Sequence, residues 1–360
     1  NLMTKFTGIP FKKIKLNQNL FLALLCLLIG YNSHAQPKRF QFTENKMASP
    51  FTILFYHADS LEAVRIAREG FTIVDSLAAI FTDYEEESEL NRFCAKAAPD
   101  ADFTPLSQPL FDILHQSKNA HKISRGTFDI TVGKLSRLWR QARRSGEWPR
   151  SEMVAEALDK SGMKYLQLDA KTRSGRLLKK GIQLDLGGIA QGYIADTIMR
   201  FLQTRGIENA LIDVSGDIIT RGHPPGKQAW VVAINTPHHE EEWLHDHLYM
   251  NDNAVTTSGD LYQYMEHEGK RYSHIINPST GYGITTRKSV TVVAKDAIVA
   301  DWFTKAVSLL PHRKAIRVAR KLNAEFLVVE LKADEMKFRY SKKFTTFMKT
   351  FAPENANANN

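Results

Sequence analysis

The period of the hydrophobic positions changes along the chain. FTILFYHA (51–58) is a short apolar and aromatic run that reads as a strand. From Ser60, placed as a cap, DSLEAVRIAREGFTIVDSLAAIFTDY carries apolar residues at helical spacing. EEESELNRF (85–93) is polar and reads as a turn with a short helix, and residues 105–124 form a second helix with Pro109 near its start. SEMVAEALDKSG (151–162) is a third helix, with Ser151 as N-cap and Gly162 just past its end. Strands then dominate. KYLQLD (164–169) and GIQLDL (181–186) alternate, with a basic hairpin between them. A helix at 190–206 ends at Gly206. Strands follow at 209–217, 228–235, 254–259, 261–266, 271–276 and 289–295. IVADWFTKAVSLL (298–310) is a helix, and strands at 325–331 and 336–340 close the series. Helices first, then many strands with few helices, predict an α+β or mixed α/β fold.

The first 35 residues lie outside this pattern. Lys5, Lys12, Lys13 and Lys15 precede the apolar run LFLALLCLLIG (20–30), and Ser33 and Ala35 are small residues placed for cleavage. This predicts a secretory signal peptide at 1–35, cut after Ala35, with an apolar run too short for an ordinary membrane span. A lipoprotein cut at Cys26 is disfavoured by bulky Leu25. Residues 36–46 are expected as a linker and 351–360 as a disordered tail. Removing the leader's four lysines lowers the formal charge from +9 to +5 and leaves Cys94 as the sole cysteine, so no internal disulfide is expected. RQARR (140–144) is the one bunched basic run and reads as a solvated helix end, not a nucleic-acid patch.

Polar clusters at the ends of apolar strands carry the candidate chemistry. They are GTFDITVG (126–133), DLGGIAQG (185–192), TTSGD (256–260) with RYSHIINPSTG (271–281), and ADWFT (300–304). Each has a plain reading: Asp129 as a cap, Ser258-Gly259 as a hairpin turn, 278–281 as a β-turn, His274 as a histidine inside a strand. Gly187, Gly188 and Gly192 at a strand-to-helix junction suit either a tight turn or a phosphate at a helix N-terminus. Asp301 is harder to explain as structure alone, because Ile298, Val299, Trp302 and Phe303 surround it and a carboxylate there needs a partner. Asp185 and Asp217 pose the same problem. Carboxylates at strand ends, a glycine loop and no His/Cys ligand spacing suggest a hard cation with oxygen ligands and argue against zinc. Mg²⁺ beside a phosphate-binding loop points to phosphoryl transfer.

In order along the chain, MASPFTI (47–53), SELNRF, GTFDITVGKLSRLW, DLGGIAQGYIAD, LIDVSGDI, TTSGDLYQY, RYSHIINPSTG and ADWFTKA resemble the motifs of the flavin transferase (ApbE) family, the FAD:protein FMN transferases. The likeness spans about Met47 to Leu310 and is far more specific than any single motif. It implies an ApbE-like, T-fold-related single unit over 47–350, with a largely antiparallel mixed sheet and flanking helices. It implies FAD as substrate, FMN transfer to a Thr or Ser hydroxyl of an exported or membrane flavoprotein, AMP release, Mg²⁺ dependence and no role for nucleic acid. Carried over by motif, Met47, Tyr84, Thr127, Phe128 and Asp129 line the FAD site, and Asp185 and Gln191 contact FAD from the glycine loop. Ile275 or Ile276 touches the flavin. His274 is the base for the acceptor hydroxyl, with Asp217 the second catalytic candidate. The Gly188 carbonyl and Asp301 bind the metal.

Two positions depart from the family. Lysine is usual where Gln191 stands, and a metal-binding threonine is usual four residues after the aspartate, where this chain has Lys305. Lys305 shares a helix face with Asp301 and either pairs with it or reaches solvent, while Thr304 is the replacement ligand in a third reading. The rival functions are a non-catalytic FAD-binding protein, a pyrophosphatase giving FMN and AMP, and a secreted structural module.

Overall fold

The computed structural model describes residues 36–47, 49–234, 247–259, 264–332 and 335–348. The expected leader, Ala48 in the opening motif, parts of the strands expected at 228–235 and 261–266, Asp260 and the tail lie outside them.

The strands are β1 (Lys38–Lys46), β2 (Ser49–His57), β3 (Thr104–Pro105), β4 (Leu166–Asp169), β5 (Ser174–Leu177), β6 (Ala210–Val214), β7 (Asp217–Arg221) and β8 (Trp230–Ala233). They continue with β9 (His247–Met250), β10 (Ala254–Gly259), β11 (Tyr264–His267), β12 (Lys270–Ser273), β13 (Arg287–Ala294), β14 (Glu325–Lys332) and β15 (Glu335–Tyr340). The helices are α1 (Ser60–Phe81), α2 (Glu89–Ala95), α3 (Gln108–Ser124), α4 (Gly133–Ser145), α5 (Ser151–Asp159), α6 (Ala190–Thr204), α7 (Ala297–Leu309) and α8 (His312–Leu322). The main sheet has the order β1-β2-β6-β7-β10-β13-β14-β15, and every neighbouring pair is antiparallel. The mixed α/β architecture and the antiparallel sheet are those expected from the sequence.

The near-continuous apolar strands follow from burial on both faces. Phe51, Ile53 and Phe55 of β2 pack into the large core beneath α1, α6 and α7, whereas Leu54 faces a second cluster with Trp230, Leu248 and Phe344. In β14, Phe326 and Val328 face the first cluster and Leu327 and Val329 the second.

Several local expectations are corrected. Residues 38–46, expected as linker, are a strand paired along its length with β2, held by Phe40 and Phe42 against Phe55 at 6.4 and 6.1 Å. Asp59, not Ser60, caps α1, because its carboxylate accepts from two N–H groups, Leu61 at 2.7 Å and Glu62 at 3.2 Å. Arg150 takes the N-cap position of α5, and the Ser151 hydroxyl turns to Glu152 instead. Residues 181–186 do not form a regular strand. The Asp185 carboxylate accepts from the Gly187 N–H at 2.8 Å and bends the chain into a turn. Ser258 and Gly259 lie within β10, opposite Val290 and Ser289, and do not form a hairpin turn. His274 lies one residue beyond β12, in a bend where the Ser273 hydroxyl accepts from the Ile275 N–H at 3.2 Å.

Helices α6 and α7 cross at unusually short range. A Cβ on Gly192 would lie 2.4 Å from the Ala297 carbonyl oxygen and 2.6 Å from the Ile298 Cα. The same crossing supplies the cap of α7. Asp296 makes no side-chain cap there, and the buried Asp196 of α6 accepts from the Ala297 and Ile298 N–H groups at 2.8 and 3.0 Å. Burial pushes the Asp196 carboxyl up to about 7, against the pull of those two N–H groups. A raised native pKa stabilises the fold fully below the ordinary value of 3.8 and loses that contribution as pH climbs through about 7. Asp196→Ala should therefore cost about 2 kcal/mol through the lost cap and orphaned N–H groups. Urea midpoints should show a wider gap from the parent at about pH 5 than at about pH 8. A gap independent of pH would rule out this account.

Candidate functional site

Two loops from distant parts of the sequence lie side by side. The Gly133 N–H donates to the Gln183 carbonyl at 3.1 Å and the Asp185 N–H to the Ile130 carbonyl at 2.8 Å, so GTFDITVG and DLGG form one surface. A Cβ on Gly133 would sit 2.7 Å from the Gln183 carbonyl oxygen, which fixes glycine there. Asp129 closes its own turn, its Oδ1 accepting from the Thr131 N–H at 2.8 Å and hydroxyl at 2.5 Å. The Thr127 hydroxyl donates to the Ser124 carbonyl at 3.0 Å. Phe128 packs over Gly188, where a Cβ would meet its ring at 3.3 Å, and its ring centroid lies 5.8 Å from that of Trp302.

Helix α7 brings Asp301 to the same place. Its carboxylate is fully buried. One oxygen accepts from the Gly192 N–H at 3.1 Å and the other from the Lys305 ammonium at 2.5 Å. Lys305 thus pairs with Asp301 and does not run out to solvent. Its stem passes 3.7–3.8 Å from the position of a Gly188 Cβ. Asp217, the first residue of β7, joins the group. It follows a two-residue hairpin turn in which Ser215 and Gly216 both have positive φ (55° and 100°), the geometry that joins twisted strands tightly. Burial raises the Asp217 carboxyl above its ordinary value, the nearby Asp301 charge adds to this, and Lys305 opposes it. Burial lowers the Lys305 pKa, but Asp301 and Asp217 more than offset this and leave it raised. The buried Thr256 hydroxyl faces Asp217 and acts to lower its carboxyl pKa.

These residues do not fit a divalent cation as they stand. Both Asp301 oxygens are engaged, one by an ammonium. The Thr304 hydroxyl is fully buried and turned back on its own helix, donating to the Asp301 backbone carbonyl at 2.7 Å. Mg²⁺ demands near-octahedral oxygen ligation. Among the described residues, no group of three His, Cys, Asp or Glu side chains is arranged to hold a metal. Charges of +1 and +2 about 4 Å apart repel by about 8 kcal/mol at an effective dielectric constant of about 20.

The other sequence candidates are more dispersed. Met47 sits at the β1–β2 turn with φ 51° and packs against the large core. Gln191 is half-buried in the first turn of α6. Ile275 is buried, and Ile276 bridges to Gly283. That bend is anchored to α4 by the Trp139 indole N–H, which donates to the Gly281 carbonyl at 2.7 Å. His274 is half-buried within it. Tyr84 is 68% exposed on an open cleft of about 990 Å³, whose wall includes Asp83, Arg137, Arg140, Arg144 and Gln183. RQARR is the end of α4 as expected, with Gln141 and Arg144 exposed, but Arg140 is half-buried. Arg140 pairs with Asp83 and stacks over the Tyr84 ring at 4.5 Å. Burial lowers the Arg140 pKa, but Asp83 and the Asp185 charge raise it further, so the cleft adjoins the glycine loop electrostatically. Sequence reasoning missed this cluster and Asp196. The signal for Asp196 is a carboxylate set among Ile194, Ala195, Ile198 and Met199.

A model of the ApbE family matches residues 47–328. Over 282 residues the chain is 31% identical to a FAD:protein FMN transferase of Klebsiella pneumoniae (strain 342), covering 76% of this chain and 79% of that one. A FAD:protein FMN transferase of Escherichia coli (strain K12) is 28% identical over 338 residues, covering 91% and 96%. The apo form of the flavinyl transferase ApbE of Pseudomonas stutzeri superposes with a TM-score of 0.76 at 26% identity, over 87% of this chain and 97% of that one. With its eight-stranded sheet, paired glycine loops and Asp301 helix now accounted for, the chain belongs to the ApbE family.

Proposed function

We propose that this chain is an enzyme that transfers FMN from FAD to a serine or threonine hydroxyl of an acceptor protein and releases AMP. The observation that carries this reading is the convergence of Phe128, Gly188, Asp217, Asp301 and Lys305 on one spot beside the start of α6. A helix N-terminus with small residues lets phosphate oxygens approach the backbone, and the ammonium adds a positive charge. Phosphoryl transfer needs positioning and charge neutralisation more than covalent chemistry.

The acceptor oxygen forms a bond to the phosphorus of the FMN half, and the bond from that phosphorus to the bridging oxygen breaks. AMP departs with the bridging oxygen. His274 takes the acceptor hydroxyl proton, a task suited to a neutral imidazole nitrogen. Thr127, Phe128 and Asp129 hold FAD against the Asp185–Gly188 loop, with Met47, Tyr84, Gln191, Ile275 and Ile276 completing the pocket. Magnesium dependence, which the family resemblance implies, is at odds with the Asp301–Lys305 pair. The leader at 1–35 supports an exported enzyme that acts on an exported or membrane flavoprotein. An extracytoplasmic fraction should then contain a chain starting at Gln36.

The test is incubation of the purified protein with FAD and a threonine-containing acceptor domain, following AMP and the acceptor mass together. A mass gain equal to FMN with matching AMP is expected. AMP without a mass gain would identify a pyrophosphatase, and bound but intact FAD a binding protein.

A further inference from the structure

The Lys305 ammonium is built into the fold as a fixed charge. Asp301 has no solvent exposure, and the Gly192 N–H locks its second oxygen. The carboxylate therefore cannot rotate away from the lysine. The lysine stem is confined as well, running along Gly188 beneath Phe128. An ammonium has three N–H donors, and among the described residues Asp301 takes the single hydrogen bond it makes. The side chain is 23% exposed and its Cε lies 3.7 Å from the position of a Gly188 Cβ, so the ammonium sits beside the glycine loop with two donors that Asp301 does not take. Anchored at one donor, with its other two not spent on Asp301, such a group binds phosphate as a point charge.

From this geometry we propose that the Lys305 ammonium takes the place of a divalent cation at the diphosphate subsite, so that FMN transfer by this chain runs without a divalent metal. The proposal rests on the FMN-transfer reading above. It also assigns a second role to Asp301, which positions the ammonium and does not ligate a metal. The anion it receives is the diphosphate of FAD, whose oxygens gain negative charge as the bond to AMP breaks. Lys305 is charged before substrate arrives and has no coordination shell to complete, which makes it a preorganised donor.

The experiment uses the full purified protein and two readouts. The first is Mn²⁺ alone, with free Mn²⁺ counted by electron paramagnetic resonance. The parent protein should hold no stoichiometric Mn²⁺, and Lys305→Thr should gain one ion per chain that the added Asp301→Asn change removes. Stoichiometric Mn²⁺ in the parent, lost in Asp301→Asn, would overturn the proposal. So would a folded Lys305→Thr protein that binds none. The second readout is FMN transfer in excess EDTA, expected within about twofold of the rate in Mg²⁺, since no charge-stabilising group is lost. A fall of about tenfold or more on chelation would overturn the proposal, because a bound metal then supplies the stabilisation. If no acceptor is flavinylated in either buffer, the transfer reading fails, and the Mn²⁺ count alone decides which cation Asp301 holds.

Discussion

Gly192→Ala is expected to destabilise the protein by about 3 kcal/mol or more, the upper range for overpacking against atoms that cannot move aside. In an ordinary helix interior the same change stabilises by about 1 kcal/mol, so the sign itself is diagnostic. The new methyl would meet backbone, at 2.4 Å from the Ala297 carbonyl oxygen, and no side-chain rotamer relieves that. Separation of the two helices would also pull the Gly192 N–H from Asp301 and Asp196 from the end of α7. Urea denaturation gives the measurement, and a midpoint at or above the parent's would mean the helices are not in contact here. Gly188→Ala is the contrast. Its methyl would meet the Phe128 ring at 3.3 Å, a tight contact with a side chain. It should leave the midpoint nearly unchanged and weaken FAD retention.

Asp301→Ala should affect stability and chemistry together. It leaves the Lys305 ammonium and the Gly192 N–H without their acceptor. Breaking a buried ion pair by removing one partner costs about 3–5 kcal/mol. FMN transfer should fall by about a hundredfold or more, the usual scale for losing one aligned electrostatic group. The double variant Asp301→Ala with Lys305→Met separates the effects. Removing both charges should recover much of the stability and none of the transfer. Recovery of transfer in the double variant would show that neither charge takes part in the chemistry.

What the sequence made legible, and what it left hidden, follows one physical line. Motifs that are local in sequence could be read directly: the glycine loop, the helix carrying Asp301, and the spacing that places Lys305 one turn later. Whether Lys305 pairs, reaches solvent or yields to Thr304 depends on what surrounds the helix. The buried Asp301 carboxylate, which accepts from the Lys305 ammonium, shows that the lysine pairs. Asp196 was invisible as a cap because the N–H groups it serves lie about a hundred residues away, on α7. Arg140 looked solvated because its partner Asp83 comes from the turn after α1. Residues 38–46 looked like a linker because their charges outnumber their aromatics. Yet Phe40 and Phe42 alternate on one face, and the edge of a sheet needs no more than one apolar face.

That edge bears on how an acceptor is met. Strand β1 carries Lys38, Arg39, Glu44 and Lys46, and the opposite edge, β15, carries Glu335, Lys337 and Arg339. Charged, mostly exposed outer strands discourage any further strand from joining the sheet. A client polypeptide is therefore not captured by β-augmentation. In the proposed transfer the client would present its hydroxyl to the loops and helix ends around Gly188 and His274, and recognition would then depend on the shape of that client's own flavin-accepting segment.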